Sequence, residues 1–331
     1  MKKALIIAVF FTLISSSFGQ HRFVWSTIPH VTDNNDYTTT TSVGHDAYGN
    51  IYAAGTYYLN PYSKQEDRNI TLGSKKMPTW GHLDAYLVKY NKSGDVVWAK
   101  HAGADYRANA ENIEDIVVDK NGNVYATGMF QAHIFFDDDT RLQSADLTKS
   151  DLFLVKYNTN GEAIWASSFE NAVNNNPVAM DMDNDGNIYI GGQWKGDSMV
   201  INGVIIYNNS WNEYGDDFFI VKYNNAGTLQ WLTNYGGLVN DFLYDIKTDA
   251  EGNILICGSL KASAYVEGEG GITFNDTTIF MEGEGIIENS YVAKISPQGN
   301  TIWVKSFGNG YIDRGTALQT DKSNNIYLAG I

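Results

Sequence analysis

The chain has 331 residues, a formal net charge of −15, 43% hydrophobic and 13% aromatic residues, 32 glycines and one cysteine. This length can bury a large core, but a lone Cys257 excludes an intrachain disulfide, so burial and strand pairing must hold the fold. The acidic balance and the lack of clustered Lys and Arg argue against nucleic acid and against an anionic membrane surface as partners.

Met1-Lys2-Lys3, the apolar run Ala4 to Ser15 and the exit Ser17-Phe18-Gly19 have the layout of a secretory leader cleaved before Gln20. The apolar run is shorter than the about 20 residues of a bilayer-spanning helix, and no later stretch approaches that length. Residues 1–19 are expected to be a signal peptide, with no membrane insertion after its removal and a secreted, extracellular or cell-surface destination.

Two hairpin texts alternate through the rest of the chain. In the first, an Asp is followed three residues later by Gly or Asn and then by an apolar pair. The copies begin at Asp46, Asp119, Asp183, Asp249 and Asp321, spaced 73, 64, 66 and 72 residues apart. In the second, Asp84, Asp151, Asp217 or Asn289 opens a strand carrying Lys89, Lys156, Lys222 or Lys294, then a turn, then Trp98, Trp165, Trp231 or Trp303. Asp suits the first position of a type I turn because its carboxylate accepts nearby backbone N–H groups, and Gly at the fourth tolerates positive φ. Such turns close three-residue hairpins with a G1 bulge. Segments such as Phe218-Phe-Ile-Val-Lys-Tyr223 are nearly continuous in apolar character, which suits strands covered on both faces.

A repeating four-stranded unit covered on both faces is the blade of a β-propeller. The pattern Asp-aromatic-x-Val-Lys, turn, apolar-Trp, then Asp-x-x-Gly-Asn-Ile/Val-Tyr-x-x-Gly resembles the bacterial β-propeller repeat (SBBP) family. That resemblance implies a secreted or surface protein of the kind carried by type IX secretion, so secretion machinery is an expected partner; it implies no shared reaction. The expected fold is all-β: four-stranded antiparallel blades over residues 20–331, with units at 40–103, 112–170, 177–237 and 241–308 and a partial unit at 313–331. Phe23-Val-Trp25-Ser reads as an orphan outer strand, with Trp25 in the repeat position. The ring is therefore expected to be incomplete, and the chain is expected to be the N-terminal part of a longer protein.

Alternating strand direction puts all the tight turns on one face and the long, dissimilar connections on the other, where variable loops on a rigid scaffold usually bind. An extra short strand is expected in each connection, around Ile70, Ile134, Met199 and Ile272. Trp80, Trp194, Trp211 and Tyr214 fall in these connections; they either stack on sugar rings or anchor a protein partner, or cover their own insertions. Asp181-Met-Asp183-Asn-Asp185-Gly186 has the spacing of a calcium loop. Its twelfth position is Gly192 in place of a bidentate Glu, so a plain acidic turn is the simpler reading and Ca²⁺ the only cofactor in view. Six histidines show no metal-ligand spacing, and no nucleophile elbow, phosphate loop or His-Glu-x-x-His is present. The once-per-unit Asp and Lys read as structural, the carboxylate capping a turn and the ammonium pairing with it. No catalytic residue emerges. The expected function is a non-catalytic scaffold binding a glycan or surface protein through the long-connection face. The alternatives are a quinoprotein-like or polysaccharide-acting propeller enzyme, and a structural module of a larger surface protein.

Overall fold

A computed structural model describes residues 37–59, 69–78, 83–104, 111–170, 173–208, 216–237, 240–261, 271–280, 288–308 and 312–331. The leader, the Trp25 strand, Trp80, Trp211 and Tyr214 lie outside the described residues. Among those described, every regular element is a strand, and no helix is long and apolar enough to cross a membrane.

The first unit comprises β1 (Tyr37–His45), β2 (Ile51–Tyr58), β3 (Asn69–Leu72), β4 (Lys75–Pro78), β5 (Leu83–Tyr90) and β6 (Val96–Ala102). The second comprises β7 (Asn112–Val118), β8 (Val124–Gln131), β9 (His133–Phe135), β10 (Arg141–Gln143), β11 (Ser150–Tyr157) and β12 (Ala163–Glu170). The third runs from β13 (Val173–Met182) and β14 (Ile188–Lys195) through β15 (Ser198–Ile201) and β16 (Val204–Tyr207) to β17 (Asp217–Tyr223) and β18 (Leu229–Tyr235). The fourth runs from β19 (Asp241–Thr248) and β20 (Ile254–Lys261) through β21 (Gly271–Phe274) and β22 (Thr277–Phe280) to β23 (Glu288–Ile295) and β24 (Thr301–Phe307), and the hairpin β25 (Gly315–Thr320) with β26 (Ile326–Gly330) follows. Each unit pairs as an antiparallel meander, β1-β2-β5-β6 and its three counterparts. The first strands β1, β7, β13, β19 and β25 touch in succession and so form the inner wall. These are the blades of a β-propeller. Among the described residues the ring is not closed: no strand contact of comparable extent joins the β25–β26 hairpin to the first blade.

The tight turns follow from their residues. In all five Asp turns the fourth residue adopts positive φ, from +59° at Asn324 to +84° at Gly186. The Asp46 carboxylate accepts from Tyr48 N, Asn50 N, Asn50 Nδ2 and the Tyr52 hydroxyl, and Asp183 does the same with Asp185, Asn187 and Tyr189. Burial works against the charge on Asp46, but these bonds hold its carboxyl below the usual carboxylate range.

Most apolar packing lies between blades, although Tyr57, Ile70, Leu72, Met77, Tyr86 and Val88 form a cluster within the first blade. One cluster joins Tyr52, Leu87 and Trp98 of the first blade to Ile113, Val124 and Val155 of the second, and equivalent clusters fill the next two junctions. Cys257 belongs to the cluster under the last hairpin, where burial pushes its thiol up to about 12. Burying each Leu, Ile or Phe there contributes about 1.5–3 kcal/mol.

Each long connection holds a two-stranded hairpin where one short strand was expected. Asn202 and Gly203, at φ +49° and +80°, close the β15–β16 turn, the mirror-image geometry that matches strand twist. These hairpins reach back to the preceding blade. Ile201 and Val200 of β15 pair with Phe169 and Glu170 of β12, making one six-stranded sheet, and bridges Gly103–Phe135 and Gly236–Thr273 repeat the contact elsewhere.

The outer-strand tryptophans reach forward. A Cβ on Gly227 would lie 2.8 Å from Trp165, and Gly161 and Gly299 stand over Trp98 and Trp231 in the same way. Gly227→Ala therefore carries two costs: left-handed backbone, about 1–2 kcal/mol, and displacement of the indole, about 1–3 kcal/mol more. Gly203 has a similar φ of +80° and nothing within 4 Å, so Gly203→Ala carries only the first cost. Urea unfolding of the two variants checks this; equal losses would contradict the tryptophan contact.

Candidate functional site

Three regions collect polar or aromatic side chains: the tight-turn face, the inner wall and the long-connection face. At the tight-turn face each blade repeats one cluster. Lys89, Lys156 and Lys222 place Nζ 5.0–5.2 Å from the ring centres of Tyr52, Tyr125 and Tyr189, within cation–π range. The same tyrosines meet Trp98, Trp165 and Trp231 at 6.0–6.1 Å. Lys156 and Lys222 donate to the carbonyls of Asn225 and Pro297 in the next blade's turn, each at 3.0 Å. Trp98 and Trp231 Nε1 donate to Thr159 and Pro297 at 3.0 and 2.9 Å. The expected pairing of the repeat Lys with a turn carboxylate occurs at Lys294, 2.7 Å from Asp249. Lys89, Lys156 and Lys222 instead have a carbonyl of the following turn within reach. Tyr125 and Trp165 complete the same cluster around Asp119, and Tyr327 with Asp321 and the half-buried Trp303 belong to the last two turns.

On the inner wall, carboxylates tie each first strand to the next. Ser42 donates to Asp115 at 2.6 Å, and Asp115 accepts Met180 N at 2.7 Å. Asp181 accepts Thr248 N at 2.5 Å and its hydroxyl at 2.9 Å, and Asp245 accepts Leu318 N at 2.7 Å. Lys247 lies 2.9 Å from Asp245 and also acts on Asp181 and Asp115. Burial pushes the Asp115 and Asp181 carboxyls up, against their hydrogen bonds and Lys247. Of this group only Asp181 stands out in the sequence, and there as part of the calcium-loop spacing; the signal of the group is an acidic residue inside an otherwise apolar first strand.

The calcium-loop reading of Asp181, Asp183 and Asp185 does not fit this geometry. Strand β13 carries the Asp181 side chain across to the next blade, Asp183 is spent on its own turn, and Asp185 lies exposed, so the three do not converge. Among the described residues no group of three or more His, Cys, Asp and Glu is arranged to hold a metal ion.

Trp194 is corrected as well. It lies within β14, opposite Asp217, and is fully buried among Leu152, Met199 and Phe219. It cannot meet a ligand on the rim. Exposed apolar residues of the long connections are instead Val204, Ile205 and Tyr207 of β16, 45–66% exposed, Phe280 of β22, 55% exposed, and Leu147 after β10, 57% exposed.

No protein-family model matches the chain. It is 25% identical over 218 residues, 58% of this chain, to an uncharacterized WD repeat-containing protein of Acanthamoeba polyphaga mimivirus, and the match spans 15% of that protein's length. A crystal structure of a member of the DUF4221 family from Bacteroides vulgatus aligns over 92% of this chain and 91% of its own, at 9% identity and a TM-score of 0.34. The class that the fold defines is a repeat-built β-propeller.

Lys247→Met removes the ammonium from among three carboxylates. The variant is expected to lose about 2 kcal/mol at pH 7, the scale of a hydrogen bond to a charged group. The deficit should shrink on acidification, because the raised Asp115 and Asp181 carboxyls take up protons early and stop repelling. Urea midpoints at acidic and neutral pH check this; an equal deficit at both would contradict it.

Proposed function

We propose that the chain is a non-catalytic propeller scaffold that binds a partner, a glycan or a surface protein, through its long-connection face. The observation that carries this reading is the division of labour between the faces. Repeated polar groups at the turns and inner wall are engaged in bonds between blades. The departures from repetition are gathered on the long connections, where hairpins leave Val204, Ile205, Tyr207 and Phe280 exposed. Aromatic and branched side chains on a rigid support lose little entropy on binding. The predicted leader at residues 1–19 and the repeat text support a secreted or surface-displayed protein of the bacterial β-propeller repeat kind, delivered by type IX secretion. A purely structural role within a larger surface protein is the second reading, favoured by the same engagement of the repeated polar groups between blades.

The test is a binding screen of the full chain against immobilised glycans and intact bacterial surfaces. Ile205→Ser with Tyr207→Ser is expected to weaken any binding at least tenfold, while Tyr48→Ser, 72% exposed on the tight-turn face, leaves it unchanged. Equal loss from both variants, or no binding in any assay, would overturn the proposal.

A further inference from the structure

Strand β16 is the terminal strand of the sheet β16-β15-β12-β11-β8-β7, which runs from the inner wall to the rim. Its hydrogen-bonding direction follows from the turn that starts it. Asn202-Gly203 is a two-residue loop of the mirror-image kind, so the flanking pair Ile201 and Val204 exchanges both backbone bonds, the next pair exchanges none, and the alternation continues along the hairpin. Two observations agree with that phase. Asn208 N donates to Asp197 O at 3.1 Å, and Val200, opposite Ile205, turns its other edge to Glu170 of β12. Ile205 and Tyr207 therefore point their N–H and C=O groups outward, away from β15. Asn234 Nδ2 donates to Tyr207 O at 2.8 Å. Among the described residues, nothing pairs with the N–H and C=O of Ile205 or with the N–H of Tyr207.

A row of open backbone donors and acceptors is a template for another strand, and proteins commonly blunt it with charge or proline. The equivalent strands of the first two blades do so: β4 reads Lys75-Lys76-Met77-Pro78, and β10 begins at Arg141. β22 opens with Thr277-Thr278 just after Asp276, and the Thr278 hydroxyl is tied to that of Thr273 at 3.0 Å. β16 is Val204-Ile205-Ile206-Tyr207, uncharged and β-branched or aromatic throughout. Ile205 and Tyr207 stand on its solvent side and Val204 is exposed at the turn, while Ile206 packs against the cluster that contains Trp194 and Met199. The edge thus offers apolar flanks to whatever lies beside it.

We propose that β16 is a strand-addition site: an extended peptide segment of the bound partner, β-branched and uncharged along the paired stretch, hydrogen-bonds to Ile205 and Tyr207 and continues the sheet as a further strand. This rests on the proposed function and narrows its partner to a polypeptide. An extended backbone supplies donors and acceptors at the spacing of alternate strand residues, so the open row favours a peptide over a sugar. Size argues against a second copy of this chain as the occupant. A strand of four residues is about 13 Å long, and two rigid rims meeting along it fall short of the roughly 1,200 Å² that a stable interface buries. Charge argues the same way: two chains of net charge −15 repel, whereas an uncharged or basic-flanked peptide is free to approach. A flexible segment reaches the edge without bringing a second rim against it.

The probe is a fluorescein-labelled hexapeptide of alternating Thr and Val, flanked by a lysine at each end, titrated with the full chain and read by anisotropy. Saturable binding is expected. The same peptide N-methylated at two adjacent central residues, which removes a donor from each of its edges, should bind at least about tenfold more weakly, the scale of a hydrogen-bonding group left unpaired. Ile205→Pro deletes the outward N–H while keeping the inward bonds of the hairpin, and should weaken the unmodified peptide by a similar factor. Thr278→Pro, at the same place in β22, should leave it unchanged. Equal binding of the two peptides to the natural chain would overturn the proposal even where the Ile205→Pro variant fails to fold. No binding at millimolar peptide, or equal loss from the two proline variants, would do the same. So would a dimer of the free natural chain in sedimentation that dissociates on Ile205→Pro, since the occupant would then be a second copy. In the glycan and surface screen, binding lost with Ile205→Ser and Tyr207→Ser but retained with Ile205→Pro would rule out strand addition and leave the proposed function standing.

Discussion

A four-stranded sheet with apolar side chains on both faces has no stable existence alone; each face must meet another sheet or water. In this chain the second and later blades meet their predecessors, and the contact is keyed at the outer rim by a tryptophan lying under a glycine of the next blade's turn. Without Trp98 under Gly161, or Trp165 under Gly227, the tyrosine and lysine stacked beside the indole lose one wall and the turn loses its floor. The repeated residues are legible as one mechanical joint made several times over.

This joint explains why so many titratable residues are present with so little chemistry assigned to them. Asp46 and its counterparts satisfy turn N–H groups, and Asp115, Asp181 and Asp245 satisfy N–H groups of adjacent first strands. In a turn such as that of Asp46 these bonds hold the carboxyl low and leave it a poor base and a poor ligand, whereas Asp115 and Asp181 are taken up as acceptors between strands.

The tight turns were legible in the sequence because Asp at the first position and Gly at the fourth encode both the hydrogen bonding and the positive φ locally. The strands between them were legible because they are apolar on both faces. The hairpin at Asn202-Gly203 was written just as locally, yet a connection following a strand invites reading as loop. Trp194 falls under the same ambiguity: β14 continues through Gln193 to Lys195, and a sequence does not distinguish such a strand end from the start of a loop. The Asp181, Asp183 and Asp185 spacing looked like a ligand set because a linear pattern omits the direction in which a strand sends each side chain. The link from Asp115 to Ser42 and Met180 arises only when one blade is stacked on the next.

The inserted hairpins give the molecule a direction. Each blade's turns reach back over the tryptophan of its predecessor, and its β15-type hairpin reaches back to the predecessor's outer strand. A chain emerging from its N-terminus therefore always carries one blade whose rim is bare until the following unit arrives, while the blades behind it are already sealed. Nearest-neighbour stabilities of this kind add one at a time, so the growing protein behaves as a zipper whose open end advances with synthesis.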